Sequence, residues 1–214
     1  MTSTRIIIMA KEPRPGQVKT RLIPALGAEA AAELAHRLLR YTLEQAIAAD
    51  IGPVELCVSP SAADAYWQPW LQRGVARISS QVSGDLGARM AAAISRALNA
   101  GTPAMLIGTD CPDLTAHKLQ QMAALLQTHD SCLCPVADGG YSLLGLQRFD
   151  SSLFENIPWS TSQVAALTRQ RLKTLDWSWA ESDTLKDIDE PDDLNGLAMS
   201  YPQLTDRLLP TPAP

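Results

Sequence analysis

Long apolar runs, surplus positive charge and a cysteine framework are all missing from this 214-residue chain, and each absence excludes something. The longest apolar stretches, such as Ile6-Ile7-Ile8-Met9-Ala10, fall far short of the roughly 18 residues of a spanning helix, so no membrane partner is expected. Lys and Arg number 18 against 23 Asp and Glu, a net charge of -5. Without a broad positive field, a nucleic-acid partner is not expected either. Four cysteines, Cys57, Cys111, Cys132 and Cys134, are too few and too irregular for a secreted disulfide scaffold. The first apolar run begins within a few residues of the amino end, where a secretory leader would need a basic and then a longer apolar region. A cytoplasmic location is the expectation.

The three histidines, His36, His117 and His129, fall in or beside helical patterns with no nucleophile partner, so no Ser/His/Asp triad is read. Cys132 and Cys134 alternate on a strand pattern close to His129. Structural zinc sites usually bring paired ligands on a turn, and small residues packed on one strand face are the better reading.

What the chain does hold is apolar material, 46% of its residues, enough for one sizeable core. Short apolar, β-branched runs alternate with Ala- and Leu-rich helical patterns. The fold class expected is α/β: a single domain over 1–209, a mostly parallel sheet covered by helices on both faces, with a frayed Pro-rich tail at 210–214. Strands are expected at 5–10, 54–58, 75–78, 104–108, 131–137 and 141–146. Helices are expected at 28–49, 86–100, 115–129 and 161–173, with a shorter one over 62–71 interrupted by Pro69 and another after the acidic run at 187–193.

The segment from Lys11 to Leu22, between the first strand and first helix, is longer than the usual connection of about 2–6 residues. Open parallel sheets bind ligands beyond the carboxyl ends of their strands, so a long ordered loop there points to function. Lys11, Arg14, Lys19 and Arg21 make it a cationic stretch in an acidic protein, suited to nucleotide phosphates. Gly16 to Thr20 superficially approaches a P-loop, but the upstream glycine is missing and no glycine directly precedes Lys19.

Gly108-Thr109-Asp110-Cys111-Pro112-Asp113-Leu114 ends a fully apolar strand. A carboxylate at a strand tip can coordinate a hard cation that also bridges phosphates, which makes Asp110 the leading metal ligand. Asp113 is equally placed to cap the following helix. Asp138-Gly139-Gly140-Tyr141 reads as a tight turn, or as a place where absent side chains let a sugar approach while Asp138 accepts hydroxyl hydrogen bonds. Both readings stay open. The acidic run at 187–193 suits a helix start, yet its crowded carboxylates also make Asp187 or Asp189 a second metal contact. In Gln81 to Arg89, glycines including Gly84 could admit a nucleobase, with Gln81 and Arg89 beside them. That segment and Trp159-Ser160-Thr161 could equally be helix starts capped by Asp85 and Ser160.

In this order the motifs resemble those of the nucleotide-diphospho-sugar transferase superfamily, with the glycosyltransferase A, Rossmann-like fold. The likeness runs from about Arg5 to Leu197, and is nearest to a bacterial glycosyltransferase family found in radical-SAM or arsenosugar gene neighbourhoods. The first loop also resembles that of phospholactate guanylyltransferases. Asp187-Ile188-Asp189-Glu190-Pro191 resembles the Asn-x-Asn-Thr-Pro element of molybdenum-cofactor guanylyltransferases, with Asp at both Asn positions and Glu190 in place of Thr.

The resemblance implies a nucleotide-binding set of Lys11, Gly16, Lys19, Arg21, Gln81, Gly84 and Arg89, and Mg²⁺ (or Mn²⁺) on Asp110, Asp189 and Asp187. It further implies substrate contacts from Asp138, Gly139, Gly140, Tyr141, Trp159, Ser160 and Thr161, with Lys19, Arg21, Asp110 and Asp138 as the catalytic residues. The partners implied are a nucleotide or nucleotide sugar and a small-molecule acceptor. Two reactions use this machinery. A glycosyltransferase breaks the bond from the anomeric carbon to a nucleoside diphosphate, whereas a nucleotidyltransferase attacks the α-phosphorus of a triphosphate and releases pyrophosphate.

Overall fold

The computed structural model describes residues 3–209, so the tail expected at 210–214 lies outside the described residues. Seven strands form one sheet: β1 (Arg5–Lys11), β2 (Val54–Ser59), β3 (Arg77–Ser80), β4 (Ala104–Ile107), β5 (Ser131–Pro135), β6 (Tyr141–Leu146) and β7 (Trp179–Glu181). The helices are α1 (Ile23–Leu26), α2 (Ala28–Ala48), α3 (Gln68–Leu71), α4 (Leu86–Asn99), α5 (Ala116–Leu126), α6 (Val164–Thr174), α7 (Asp193–Ser200) and α8 (Pro202–Thr205). The strand order is β3-β2-β1-β4-β6-β5-β7, parallel throughout except that β6 runs antiparallel to both its neighbours. This is the expected α/β class.

The sheet is buried on both faces, and its apolar alternation sorts the side chains. Ile6 and Ile8 of β1 face one cluster with Leu39 and Leu43 of α2 and Leu119 and Met122 of α5. Ile7 faces the opposite cluster with Met90 and Ile94 of α4 and Leu172 of α6. Cys132 and Cys134 lie fully buried in the first cluster, the packing role expected of them.

A third cluster decides where the site forms. The amino-terminal half of α2 extends past the sheet and packs Ala31, Leu34 and Leu38 against Leu22, Ile188, Leu194, Leu197 and Leu204. It clamps the end of the cationic loop to the late acidic segment. Burying a leucine of this kind contributes about 1.5–3 kcal/mol.

Among the helices, α1 and α8 have no counterpart in the sequence reading and α6 starts at Val164 where 161 is expected; three strands differ as well. β3 lies two residues later than the apolar run at 75–78, because Val75 is buried before pairing with β2 begins. β7 was not expected: it is three residues long and its sequence, Trp179-Ala180-Glu181, has no apolar run. β5 stops at Pro135, where its register with β6 shifts and Val136 bridges to Leu185 instead.

Candidate active site

β1 is parallel to β2 on one side and to β4 on the other, so the loops leaving β1 and β4 emerge together at the carboxyl edge where the order reverses. Such a switch point is where open α/β sheets form a ligand crevice. The cationic loop after β1 folds tightly there. Lys11 Nζ donates to the Gln17 carbonyl at 2.8 Å, and Arg14 turns outward to pair with Glu12 at 2.6 Å and Asp64 at 2.7 Å.

Lys19 then adopts a left-handed backbone, φ 46°, immediately before the 3-10 turn Thr20–Leu22. For a non-glycine residue this costs on the order of 1 kcal/mol or more and persists only where the surroundings fix it. It carries the side chain inward until only 6% remains exposed, with Nζ 2.6 Å from Asp110 Oδ1 and 2.9 Å from Asp189 Oδ1. The ammonium also donates to the Ile188 carbonyl. Burial alone would lower the Lys19 pKa, but the two carboxylates outweigh it and hold the ammonium above the ordinary lysine value.

The acidic side is equally fixed. The Ile188 N–H donates to the Asp110 carbonyl at 2.9 Å, stapling the late segment to the loop after β4. The Asp193 carboxylate accepts from the Asp189 and Glu190 N–H groups at 3.0 and 2.7 Å, reaching back from the first turn of α7, whose N-cap residue Asp192 makes no side-chain cap hydrogen bond. Arg21, 61% exposed, pairs with Glu190 at 3.2 Å and approaches Asp189 to 4.0 Å. Asp187 is pushed up to about 6 by burial first, then by Asp138, Asp189 and Asp110. Basic residues from the amino end and acidic residues from mid-chain and late segments therefore share one place.

The resulting cleft measures 310 Å³; Lys11, Lys19, Arg21, Thr109, Asp110 and Asp189 line it, over a floor of Ala35 and Leu39 from α2. Small-molecule sites span about 300–1,000 Å³. Thr109, Ala35 and Leu39 carry no individual signal of ligand contact in the sequence. Thr109 sits inside a recognised motif, whereas Ala35 and Leu39 carry only a helical apolar spacing. Gly16, with φ 76°, shapes the loop but does not line the cleft.

The remaining candidate residues do not line this cleft. Gln81 Nε2 donates to the carbonyls of Ala10 at 3.2 Å and Cys57 at 2.9 Å, pinning the ends of β1 and β2, so its amide is a tether where a base contact was expected. Arg89 Nε turns back to the Gly84 carbonyl at 3.0 Å, and Asp85 caps α4 by accepting from Ala88 N at 2.8 Å. There is no opening at Gly87: a Cβ there would lie 2.5 Å from the Phe154 carbonyl and 2.6 Å from Trp159 Nε1. Trp159 thus packs on the first turn of α4. Ser160, with φ 64°, caps nothing, and Thr161 donates to the Pro158 carbonyl at 2.7 Å.

At Asp138-Gly139-Gly140 the turn reading holds, with Asp138 Oδ1 accepting from Gly140 N at 2.7 Å. The space expected at Gly139 is taken: with φ 90°, its missing Cβ would stand 2.2 Å from the Ser162 carbonyl oxygen. Tyr141 packs against the α4 and α6 side of the sheet with its hydroxyl buried, a core contact rather than an open one. Asp113 does not cap α5. Thr115 does, while Asp113 accepts from the Tyr201 hydroxyl at 2.8 Å.

Among the described residues, no group of three or more His, Cys, Asp or Glu side chains forms a ready metal cage. Of the expected trio, Asp110 and Asp189 are brought together with the Lys19 ammonium between them, while Asp187 feels their charge without lining the cleft.

Among solved structures, a protein of Desulfovibrio desulfuricans G20 provisionally described as a nucleotide-diphospho-sugar transferase is similar over 97% of this chain and 92% of its own, at 27% identity and TM-score 0.84. A cytidylyltransferase from Leptospira borgpetersenii serovar Hardjo-bovis matches over 99% and 100% of the two chains at 13% identity and TM-score 0.56. A nucleotidyl transferase from Methanothermobacter thermautotroptrophicus matches over 95% and 99% at 14% identity and TM-score 0.56. These last two share the fold. No curated protein matches the sequence.

Sheet order, switch-point crevice and the likeness to the Desulfovibrio protein together define a member of the nucleotide-diphospho-sugar transferase superfamily. Within it, residues 42–161, more than half the chain, match a family described as uncharacterized proteins conserved in bacteria (DUF2064), and the chain belongs to that family. The matched region contains Asp110 and the 138–141 turn, and excludes the cationic loop and the acidic segment at 187–189.

Proposed function

We propose that this protein is a metal-dependent glycosyltransferase that moves a sugar from a nucleotide sugar to a small-molecule acceptor. The observation that carries the reading is the convergence of Lys11, Lys19 and Arg21 with Asp110 and Asp189 in one cleft at the switch point. The full-length likeness to the Desulfovibrio protein supports sugar transfer as the first reading.

The donor set fits Mg²⁺ or Mn²⁺. Lys11, Lys19 and Arg21 share the cleft with the Asp110 and Asp189 carboxylates, and Arg21 also pairs with Glu190, so the cleft by itself is not an anion trap. Burial is the main reason the Asp187 carboxyl is raised, Asp138, Asp189 and Asp110 add to it, and repulsion of that last kind is what a hard cation relieves. Mg²⁺ needs only one or two carboxylates besides water and phosphate oxygens, so a preformed cage is not required. Asp110 and Asp189 would hold it, with Asp187 behind them. Bound there, the metal would stabilise charge on the departing phosphate.

The chain's own residues do the rest. Arg21 and Lys11 orient the donor phosphates from the mouth of the cleft. Asp138, with Oδ1 held by Gly140, offers Oδ2 to take the acceptor hydroxyl proton. As the acceptor oxygen bonds to the anomeric carbon, the bond from that carbon to phosphate breaks and nucleoside diphosphate leaves.

One observation favours a second reading: the cations cluster in the loop after β1, where they suit a pyrophosphate leaving group. There, an acceptor phosphate oxygen attacks the α-phosphorus of a nucleoside triphosphate. Incubation with Mg²⁺ and panels of nucleotide sugars and nucleoside triphosphates with candidate acceptors separates the two. Nucleoside diphosphate release that is lost in Asp110→Ala supports sugar transfer, and pyrophosphate release supports nucleotidyl transfer. Tight nucleotide binding with neither product would identify a non-catalytic binding domain.

A further inference from the structure

We propose that Lys19 is an internal stand-in for the divalent cation, and that metal binding must displace its ammonium from Asp110 and Asp189 before it can engage phosphate. This rests on the metal-dependent reading above and assigns Lys19 a role beyond phosphate contact. Lys19 Nζ is hydrogen-bonded to one oxygen of each carboxylate, at 2.6 and 2.9 Å, and to the Ile188 carbonyl. Those partners use up the donors of an ammonium, which has three and no acceptor. Pointing at the carboxylates, the ammonium has nothing left for a phosphate. The contact is also built rather than incidental, since the left-handed backbone at Lys19 aims the side chain inward and leaves it 6% exposed.

A divalent cation on the same carboxylates would sit beside that ammonium as an adjacent like charge in a partly buried site, a strongly unfavourable arrangement. One cation must yield. A lysine on a flexible stem can move, and a nucleotide arriving with the metal supplies the phosphate oxygens that accept the freed ammonium. Metal alone therefore binds weakly, because it competes with Lys19. Metal with nucleotide binds well, because the displaced charge gains a new partner. Asp110 and Asp189 stay compensated before and after.

The test uses Mn²⁺ alone, titrated into the full chain by electron paramagnetic resonance, with folding checked by circular dichroism. Lys19→Gln should bind Mn²⁺ at least about tenfold more tightly than wild type, because it removes the competing charge. Lys19→Arg, which keeps the charge, should stay near wild type. Adding a nucleotide should strengthen Mn²⁺ binding in wild type and narrow the gap to Lys19→Gln. Independently of any variant, Mg²⁺ alone should raise the reductive methylation of Lys19 in wild type, read by mass spectrometry. Equal or weaker Mn²⁺ binding in folded Lys19→Gln, or methylation of Lys19 indifferent to Mg²⁺, overturns the exchange while leaving a metal site intact. Failure of wild type and Lys19→Gln alike to bind Mn²⁺, even with nucleotide, overturns both the exchange and the metal-dependent reading.

Discussion

Lys19 Nζ lies 2.6 Å from Asp110 Oδ1, joining the loop after the first strand to the loop after the fourth across the reversal point of the sheet. That ion pair, closed on its other side by Asp189, is the junction through which distant parts of the chain become one site.

The junction depends on apolar packing outside the sheet. Leu22 is fully buried with Ile188 between α2 and α7, so Leu22→Ala should destabilise the protein by about 2–5 kcal/mol in urea unfolding. Nucleotide affinity should fall with it, as the cationic loop separates from the acidic segment. A loss below about 1 kcal/mol would show that this cluster does not hold the two together.

Gly139 offers a test of the turn beside Asp138. Its φ of 90° and the 2.2 Å approach of the Ser162 carbonyl leave no place for a methyl group. Gly139→Ala should therefore cost on the order of 1–3 kcal/mol in thermal or urea unfolding, through overpacking and backbone strain together. A neutral substitution would mean that the 162 segment yields freely.

All four cysteines are buried, and burial pushes their thiols up, Cys134 to about 11 and Cys111 to about 12. The thiolate is the nucleophile, so a disulfide reagent at pH 8 should label the native protein only as it unfolds. Labelling should become rapid for all four in denaturant. Fast native labelling of Cys111 or Cys134 would contradict the packing described.

Acid sensitivity has one assignable contributor at the β7 edge. Arg169 donates to Glu181 through Nε at 2.7 Å and Nη2 at 2.8 Å, and Trp179 Nε1 adds a bond at 2.8 Å; the Arg169 bonds are the main reason the Glu181 carboxyl sits below its ordinary value. A depressed carboxylate adds stability that is present above its unfolded pKa and lost as pH falls through the folded one. The pair is partly solvated, so the effect should be under about 1 kcal/mol. Glu181→Gln should flatten the fall in unfolding free energy below about pH 4.5, and an unchanged acid slope would rule Glu181 out as its source.

Much of this was legible in the sequence, for physical reasons. The period of the apolar residues gave α2 and α4 nearly to the residue, because a long amphipathic helix records its buried face at every turn. That Asp110 and Asp189 line the candidate cleft was legible because carboxylates at a strand tip and in a crowded acidic run demand a partner. Which partner was not legible. A sequence lists charges without stating which of them meet, so Lys19 read as a phosphate ligand, whereas its nearest anions are the protein's own.

Close packing was equally hidden. Gly139 reads as an opening for a ligand, yet Ser162 fills the place where its side chain would be, and beside Gly84 the neighbouring Gly87 is closed off by Trp159. Asp113 read as a helix cap because nothing local reveals that Tyr201 folds back onto it. β7 escaped notice because three residues are too short to carry a period.

A calorimetric titration of a nucleotide-sugar panel into wild type, Arg21→Ala and Asp110→Asn, each with Mg²⁺ and again with a chelator, decides whether this cleft holds the nucleotide. Wild type with Mg²⁺ should bind a nucleotide sugar, with about tenfold or more weaker binding in either variant and a comparable loss on chelation. Binding of equal strength in all three proteins, indifferent to Mg²⁺, would place the nucleotide elsewhere in the molecule.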